Sequence, residues 1–137
     1  NFALYDGVKE YGTTCHRMAP KVDTGDIIAV KRIPVQESDS VRSLLDRCYE
    51  AQLSLFFEVM GELKQGRKLM ASNETWMRKP YTREEFNALC RLTPDMPKDE
   101  MLRRIRATTF GPWLPSLEIN GIEFQLSPQT AKSMGLL

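Results

Sequence analysis

The chain has 137 residues, a length that suits one domain or one and a half small ones. It is 42% hydrophobic and 27% charged with a net charge of +1, ordinary values for a soluble globular protein that give no reason to expect a nucleic-acid or membrane-surface binder. No apolar run approaches the ~18 residues of a membrane span, and no signal peptide is visible. The three cysteines are odd in number and far apart, which argues against a disulfide framework or a zinc site and fits a reducing cytoplasm.

Two β-rich runs follow a short helical end at the start of the chain. Residues 1–6 predict the end of a helix, and Gly7 and Gly12 mark the turns that follow it. Because the chain opens directly on Asn1 in an apolar run, we expect it to be cut from a longer protein. Residues 13–18 and 26–35 are rich in β-branched residues and predict two strands that form a hairpin or an adjacent pair.

Residues 37–66 carry the clearest element, a long amphipathic helix. Ser38 or Asp39 is predicted to cap its start, and Gly66 to end it. One face at helical spacing holds the apolar residues Val41, Leu44, Leu45, Cys48, Ala51, Leu55, Phe56, Val59 and Leu63. Three further apolar residues lie outside this stripe and predict a second contact surface: Leu53, Phe57 and Met60.

The last third of the chain follows a polar connector, residues 67–80, that contains Trp76. Thr82 and Glu85 form a capping signature for a short helix, which Pro94 and Pro97 break. A second short helix is predicted over residues 98–110, with the apolar side Met101, Leu102 and Ile105. Asn120-Gly121 between two apolar runs is a strong hairpin signal. We therefore expect three consecutive segments, a β-β-α module (1–65), a linker (66–80) and a helical module with a hairpin (81–137).

The segment from Gly12 to Ile28 places an aspartate, Asp23, at a turn between the two strands, seven residues after the only histidine, His16. By itself, a turn aspartate usually bonds its own backbone, and a lone strand histidine is usually a satisfied, half-buried residue. Acid–base chemistry would need further polar partners, and none lies in this segment. The residue types alone leave the structural and the catalytic interpretation open.

The spacing of the whole segment resembles a signature of the formyltransferases that use 10-formyltetrahydrofolate. Their pattern is a G-x-T-x-H strand, a loop of six residues and then D-x-G-x-I-(I/L), and it is matched by Gly12, Thr14, His16, Asp23, Gly25, Ile27 and Ile28. The upstream "ALYDGVKEYG" and the downstream "ASNETWMRKP" are similar to flanking segments of the same family. The resemblance implies an α/β fold, the C-terminal part of a Rossmann-like formyltransferase domain followed by a small α+β module with a β-hairpin.

The resemblance also implies roles for individual residues. Asp23 matches the catalytic aspartate, and His16, Thr14 and Gly25 match residues that support its loop. The resemblance further implies that the pterin edge of the folate binds to Asp23 and to backbone groups of the loop residues Ala19, Pro20, Lys21 and Val22. His16 matches the family's second, supporting histidine, whereas the catalytic asparagine and histidine, from an upstream N-x-H motif, have no counterpart here. Because these catalytic groups are missing, we expect no turnover by the isolated chain. We also expect no bound metal.

The acceptor is suggested by a segment near the C-terminus. Residues 103–113, "RRIRATTFGPW", resemble a stretch of nucleotide-sugar N-formyltransferases, so we expect a nucleotide-linked amino sugar as acceptor. A methionyl-tRNA formyltransferase is one alternative, with tRNA as partner, and a non-catalytic interaction or dimerisation module is another. The expected partners are folate, the acceptor, the missing N-terminal half of the parent domain and a second copy, with no membrane. Arg103, Arg104 and Arg106 are equally compatible with a solvated helix face, and Trp113 with core or interface packing.

Overall fold

The computed structural model describes residues 1–137 and has the mixed α/β composition expected from the sequence. The chain divides into two compact units. The first unit contains residues 1–9, 35–45 and 81–137, and the second contains residues 10–34 and 46–80. These units interleave along the chain, unlike the three consecutive segments expected above, whose boundaries stay a prediction. No helix is long and apolar enough to cross a membrane.

The second unit is built on a two-stranded antiparallel hairpin. Strand β1 covers Glu10–His16 and strand β2 covers Ile27–Pro34, in a register that pairs Glu10 with Pro34 and Cys15 with Ala29. The register shifts between Cys15 and His16, so His16 pairs with Ile27. The predicted strand pair is therefore confirmed, with an irregularity at the histidine.

Helix α2, Val41–Lys64, begins in the first unit and continues through the second. Its start differs from the prediction. Ser40 is the capping residue, since its Oγ accepts a hydrogen bond from Ser43 N at 3.2 Å and its carbonyl accepts one from Leu44 N. Asp39 does not cap the helix because its carboxylate accepts from Gln36 N at 2.7 Å and holds the preceding turn. At the other end, the N–H groups of Gly66 and Arg67 bond carbonyls of the last turn, as Gly66 predicts.

The apolar stripe of α2 is buried along only part of its length. In the second unit, Ala51 and Leu55 are buried, whereas Phe56 and Leu63, which were predicted on the buried face, are exposed. Both lie at the edge of the stripe, where a two-stranded sheet offers too little surface to cover them. The three residues outside the stripe, Leu53, Phe57 and Met60, are exposed as well.

The first unit contains the shorter elements. Helix α1 spans Phe2–Tyr5, α3 spans Arg83–Cys90, α4 spans Lys98–Thr108 and α5 spans Pro128–Ser133. Strands β3 (Arg91–Leu92), β4 (Ser116–Ile119) and β5 (Ile122–Gln125) form a sheet in that order, with β3 parallel to β4 and β5 antiparallel to it. Neither β3 nor α5 was predicted from the sequence.

Two local predictions for this unit are confirmed. Thr82 and Glu85 form the reciprocal capping box of α3. Asn120 and Gly121 connect β4 to β5, both with positive φ values, 52° and 77°, as a two-residue turn of type I′ requires. The core of the unit gathers around Leu92, Ile105 and Leu136. Leu102, predicted on the apolar side of α4, is exposed instead, because Ile105 and the half-buried Met101 supply the contacts to the sheet.

The arginines of α4 are engaged in contacts within the first unit. Arg106 donates to the carbonyls of Asp39 and Gln36 at 2.7 and 2.8 Å. Arg104 donates to Glu100 at 2.7 Å and to Ala88 O at 3.0 Å. These two residues are structural. Arg103 is half-exposed, but it also donates to Glu100 and lies over the Tyr5 ring, so a purely solvated face describes none of the three arginines.

Glu100 is the centre of this charged cluster. Its carboxylate accepts from Arg104, Arg103 and Tyr5 Oη, the last at 2.8 Å, and its side chain is only 19% exposed. These hydrogen bonds, those from the two arginines first, lower the pKa of Glu100 from 4.5 to about 2. A carboxyl whose pKa falls on folding stabilises the protein above its ordinary pKa, and that stability is lost as the pH falls from 4.5 towards 2.

We therefore expect Glu100→Gln to lower the free energy of unfolding by about 1–2 kcal/mol at pH 7, since hydrogen bonds to charged groups are lost. The difference from the wild type should shrink as the pH falls from 4.5 towards 2, because Glu100 takes up its proton near 4.5 in the unfolded chain and only near 2 in the folded protein. Urea unfolding between pH 3 and 7 measures both effects. Glu50→Gln, at an exposed position of α2, is the control and should follow the wild-type curve. A constant difference at every pH would contradict this role for the Glu100 charge.

Candidate active site

Asp23 lies on the turn that follows β1, as the sequence predicts. Its backbone has φ 51°, a left-handed conformation that aspartate tolerates better than most residues with a side chain. Thr24 Oγ1 donates to Lys21 O at 2.8 Å and fixes the turn from its other side. The turn therefore holds the Asp23 carboxylate at a defined place beside the end of β1.

His16, the last residue of β1, faces that carboxylate. His16 Nε2 lies 4.0 Å from Asp23 Oδ1, and the two side chains are 28% and 42% exposed. His16 Nδ1 lies 2.9 Å from Arg17 O, and because a carbonyl can only accept, Nδ1 carries the proton. In the neutral imidazole, Nε2 is then an acceptor that faces a second acceptor across 4.0 Å. This distance is too long for a direct hydrogen bond, and a donor placed between the two groups can bond both.

The imidazole is therefore oriented by the Arg17 carbonyl. The closest polar partner of the ring is Arg17 O at 2.9 Å, whereas Asp23 Oδ1 lies 4.0 Å from the other ring nitrogen. The side chains of His16 and Asp23 are both partly exposed at the edge of the loop, where an external molecule can reach both.

Gly25 closes the loop against the backbone of β1. A Cβ atom at this position would lie 1.7 Å from Arg17 O, so no other residue fits without movement of the backbone. Gly25 is buried, and the group that approaches it is the carbonyl of Arg17, which also binds His16. This contact fits the expectation that Gly25 supports the loop of Asp23.

Trp76 also belongs to this site, although the sequence alone gave it no role there. Its Nε1 donates to Gly25 O at 2.8 Å, and its ring stands edge-on to His16 with centroids 5.0 Å apart. Trp76 therefore touches the loop of Asp23 and the imidazole at once. The available signal was its presence as the sole aromatic residue of a polar connector.

The connector itself is fastened to the hairpin. Ser72 N donates to Ile27 O at 2.7 Å, and Arg17 donates to Leu69 O at the same distance. Arg32 forms two hydrogen bonds to Glu74, at 2.8 and 2.7 Å, which hold the pKa of Glu74 below its ordinary value of 4.5. Residues 67–80 thus form an ordered edge of the second unit that brings Trp76 to the site.

The other predicted site residues lie in β1 and in the exposed part of the loop. Thr14 lies in β1 opposite Val30, two residues before His16. Ala19, Pro20, Lys21 and Val22 form the exposed part of the loop. The structure thus brings together His16, Asp23 and Gly25 and adds Trp76, while a role of the exposed loop in binding stays a prediction. No group of three or more histidine, cysteine, aspartate or glutamate side chains is arranged to hold a metal ion.

Comparison with known proteins gives a family for this part of the chain. Residues 1–60, which include β1, the Asp23 turn and β2, match the family model described as formyl transferase. A curated methionyl-tRNA formyltransferase of Geobacillus thermodenitrificans is 29% identical over 115 residues, which cover 82% of this chain and 34% of that protein. The chain therefore spans about a third of the length of that relative.

Solved structures share the fold. A sugar N-formyltransferase from a Shewanella species superposes with a TM-score of 0.74 at 22% identity, over 91% of this chain and 52% of that one. HypX from Aquifex aeolicus, solved in complex with tetrahydrofolic acid, superposes with a TM-score of 0.69 at 20% identity, over 89% of this chain and 21% of that one. The superpositions establish the fold, and because the identities are this low, they leave the substrates open.

Proposed function

Since residues 1–60 match the formyl transferase family model, we propose that the chain belongs to this family and forms part of an enzyme that transfers a formyl group from 10-formyltetrahydrofolate to an amine. The observation that carries the proposal is the facing of His16 Nε2 and Asp23 Oδ1 across 4.0 Å, within the residues that match the family. The complex of HypX with tetrahydrofolic acid supports the class of the donor. Both groups of the pair are acceptors, and formyl transfer to an amine requires the amine to lose a proton.

The chemistry of the pair follows from this arrangement. An amine nitrogen placed ~2.8 Å from both Nε2 and Oδ1 donates to both, and its proton is accepted by one of them as the nitrogen bonds the formyl carbon. The bond between the formyl carbon and the folate nitrogen then breaks, and that nitrogen gains a proton as it leaves. Arg17 O keeps the imidazole in the tautomer that leaves Nε2 unprotonated. Trp76 holds the loop closed through Gly25 O and limits rotation of the His16 ring. The bound donor supplies the activated formyl carbon, and no metal takes part in the proposal.

The exposed loop fits the role of a folate-binding segment. Its side chains contribute little packing, since Met18 and Val22 are 98% and 77% exposed, so recognition by this loop would use backbone groups of Ala19, Pro20, Lys21 and Val22. A pterin edge carries several donors and acceptors in one plane, which backbone groups can match. We include Asp23 in this binding segment because it continues the same turn.

The remaining catalytic groups of the family belong, in this proposal, to a part of the parent enzyme outside this sequence. The chain carries a single histidine and no N-x-H motif, and it spans about half of the Shewanella enzyme. We therefore propose that the missing N-terminal half of the domain supplies the asparagine and histidine that stabilise the developing charge on the formyl group. On this basis the isolated chain has no activity of its own.

For the acceptor, we propose a nucleotide-linked amino sugar. The segment at residues 103–113 and the shared fold with a sugar N-formyltransferase support it, while the sequence likeness to a methionyl-tRNA formyltransferase supports the alternative acceptor, charged initiator tRNA. The test is formyl transfer by the parent enzyme to each acceptor in parallel. Activity on the sugar nucleotide alone supports the proposal, and activity on the tRNA alone keeps the reaction and overturns the acceptor.

A non-catalytic interaction or dimerisation module is the second candidate, and the exposed apolar face of α2 favours it. Leu53, Phe56 and Phe57 are each more than half exposed on consecutive turns of this helix. If the face binds a second copy of the chain, sedimentation should detect a concentration-dependent dimer that Phe57→Ser weakens at least tenfold. A monomer at all concentrations would remove the support for this candidate.

A further inference from the structure

The connector, residues 67–80, contains no helix or strand, yet it is attached to both ends of the loop between β1 and β2. Arg17, just after β1, donates to Leu69 O at 2.7 Å. Trp76 Nε1 donates to Gly25 O, just before β2, at 2.8 Å. Fixing the path of an irregular segment costs conformational entropy, which such contacts must offset. These bonds therefore hold the connector and the loop together as one ordered piece.

Of these attachments, Trp76 also contacts the imidazole. Its half-buried ring stands at 85° to the His16 ring, with the centroids 5.0 Å apart, an arrangement that two rings favour. A half-turn of the His16 ring about its Cβ–Cγ bond would carry Nδ1 away from Arg17 O and break the hydrogen bond of 2.9 Å between them. The indole beside the ring therefore opposes the rotation that releases Nδ1.

Trp76 also acts on the imidazole through the backbone. Gly25 packs so closely on Arg17 that a Cβ at Gly25 would lie 1.7 Å from Arg17 O. The same Arg17 carbonyl is the partner of His16 Nδ1. Because Trp76 Nε1 holds the carbonyl of Gly25, a shift of the indole displaces Gly25 and, with it, the group that selects the tautomer of His16.

We propose that Trp76 is a positioning residue of the candidate site, which selects the Nδ1–H tautomer of His16 and so keeps Nε2 as an acceptor opposite Asp23. Trp76 acts through His16 and Gly25, so this role needs no contact with a substrate. The effect on the tautomer rests on the geometry of this chain alone. The effect on formyl transfer rests on the proposed function, in which the amine donates to Nε2.

The tautomer can be measured directly, because His16 is the only histidine of the chain. After labelling of histidine with ¹⁵N, both ring nitrogens seen by NMR belong to His16, and their shifts at alkaline pH give the ratio of the two neutral tautomers. We expect Nδ1–H to dominate in the wild type. Trp76→Leu should lower its ratio to Nε2–H at least about fivefold, as loss of one hydrogen bond of ordinary strength does. Trp76→Phe keeps a ring beside His16 but lacks the N–H, so its effect should be smaller.

Met77→Leu and Ser72→Ala are the matched controls. Met77 adjoins Trp76 and is 95% exposed, whereas Ser72 Oγ donates to Ile27 O at 3.0 Å and attaches the connector at a different point. Both variants should keep the wild-type ratio of tautomers. An unchanged ratio in Trp76→Leu, or an equal change in Ser72→Ala, would overturn the proposal. If Trp76→Leu does not fold, the ratio in Trp76→Phe decides in the same way.

The second measurement is formyl transfer by the parent enzyme. Trp76→Leu should lower kcat at least about tenfold, because a misplaced acid–base group loses much of its contribution to the rate. KM for the folate should change much less, since Trp76 holds an end of the loop and not its exposed part, and Met77→Leu should keep the wild-type kcat. A changed tautomer ratio with an unchanged kcat would overturn the positioning role. A parent that transfers no formyl group, together with the expected change in the ratio, would overturn the proposed function and leave the link between Trp76 and His16 intact.

Discussion

Replacement of Asp23 by asparagine in the intact enzyme is expected to lower formyl transfer by at least ~10²-fold, the lower end for loss of an acid–base group. The amide keeps the size of the side chain and the shape of the turn, so the loop should retain its conformation. It removes the negative charge that faces His16 Nε2. It also replaces one carboxylate oxygen, which accepts hydrogen bonds, with an NH₂ group, which donates them. Steady-state rates with 10-formyltetrahydrofolate and the acceptor measure the effect.

Binding of the folate should change much less, because recognition in this proposal uses backbone groups of the loop. Asp26→Asn is the matched control, since Asp26 lies three residues further along, is exposed, and contributes only its backbone carbonyl, which accepts from Arg17 N. Its rate should stay within twofold of the wild type. Equal losses in both variants would point to damage of the whole loop and would remove the special role of Asp23.

The isolated chain should show no formyl transfer in the same assay. Its single histidine is bound through Nδ1 to Arg17 O and faces Asp23, so no second imidazole is present to assist at the formyl group. Turnover by the isolated chain would show that the catalytic residues have been wrongly assigned.

Elements of the fold that depend on neighbours in sequence were predictable. The capping box at Thr82 and the Asn120-Gly121 turn are both set by interactions over a few residues, and both are present. The Asp23 turn between two strands belongs to the same class, because β-branched runs and a D-T-G triplet determine it locally. The spacing of the family signature then placed His16 beside that turn.

Elements that depend on distant partners were not predictable. Strand β3 has only two residues and exists because it pairs with β4, more than twenty positions away in the chain. The contact of Trp76 with Gly25 O spans 51 positions along the chain, about twice as many, and no local pattern predicts it. The predicted cap of α2 was wrong for a local reason, since the Asp39 carboxylate accepts from Gln36 N and Ser40 caps the helix instead.

Gly25 depends both on its local sequence and on distant partners. The sequence placed a glycine in the loop, and the structure gives the reason, which is close contact with the Arg17 backbone. The carbonyl that Gly25 packs against is also the one that orients His16, and the Gly25 carbonyl is the one that Trp76 binds. One residue without a side chain thus couples the hairpin, the connector and the imidazole, so its replacement should disturb all three.

Gly25→Ala is expected to lower the free energy of unfolding by about 3 kcal/mol or more, because a Cβ at 1.7 Å from Arg17 O forces the backbone of the loop to move. Urea unfolding followed by circular dichroism measures this loss. The same movement separates Gly25 O from Trp76 Nε1, so tryptophan fluorescence of the folded variant should also change.

Gly61→Ala, in the same unit, gives the opposite expectation. Gly61 lies inside α2, and a Cβ there would meet nothing within 4 Å, so alanine should stabilise the protein by about 0.5–1 kcal/mol through its higher helix propensity. The two substitutions add the same methyl group, and their effects should differ in sign. A Gly25→Ala protein as stable as the wild type would mean that the loop can relax away from Arg17, and the proposed rigid link between Trp76, Gly25 and His16 would then be wrong.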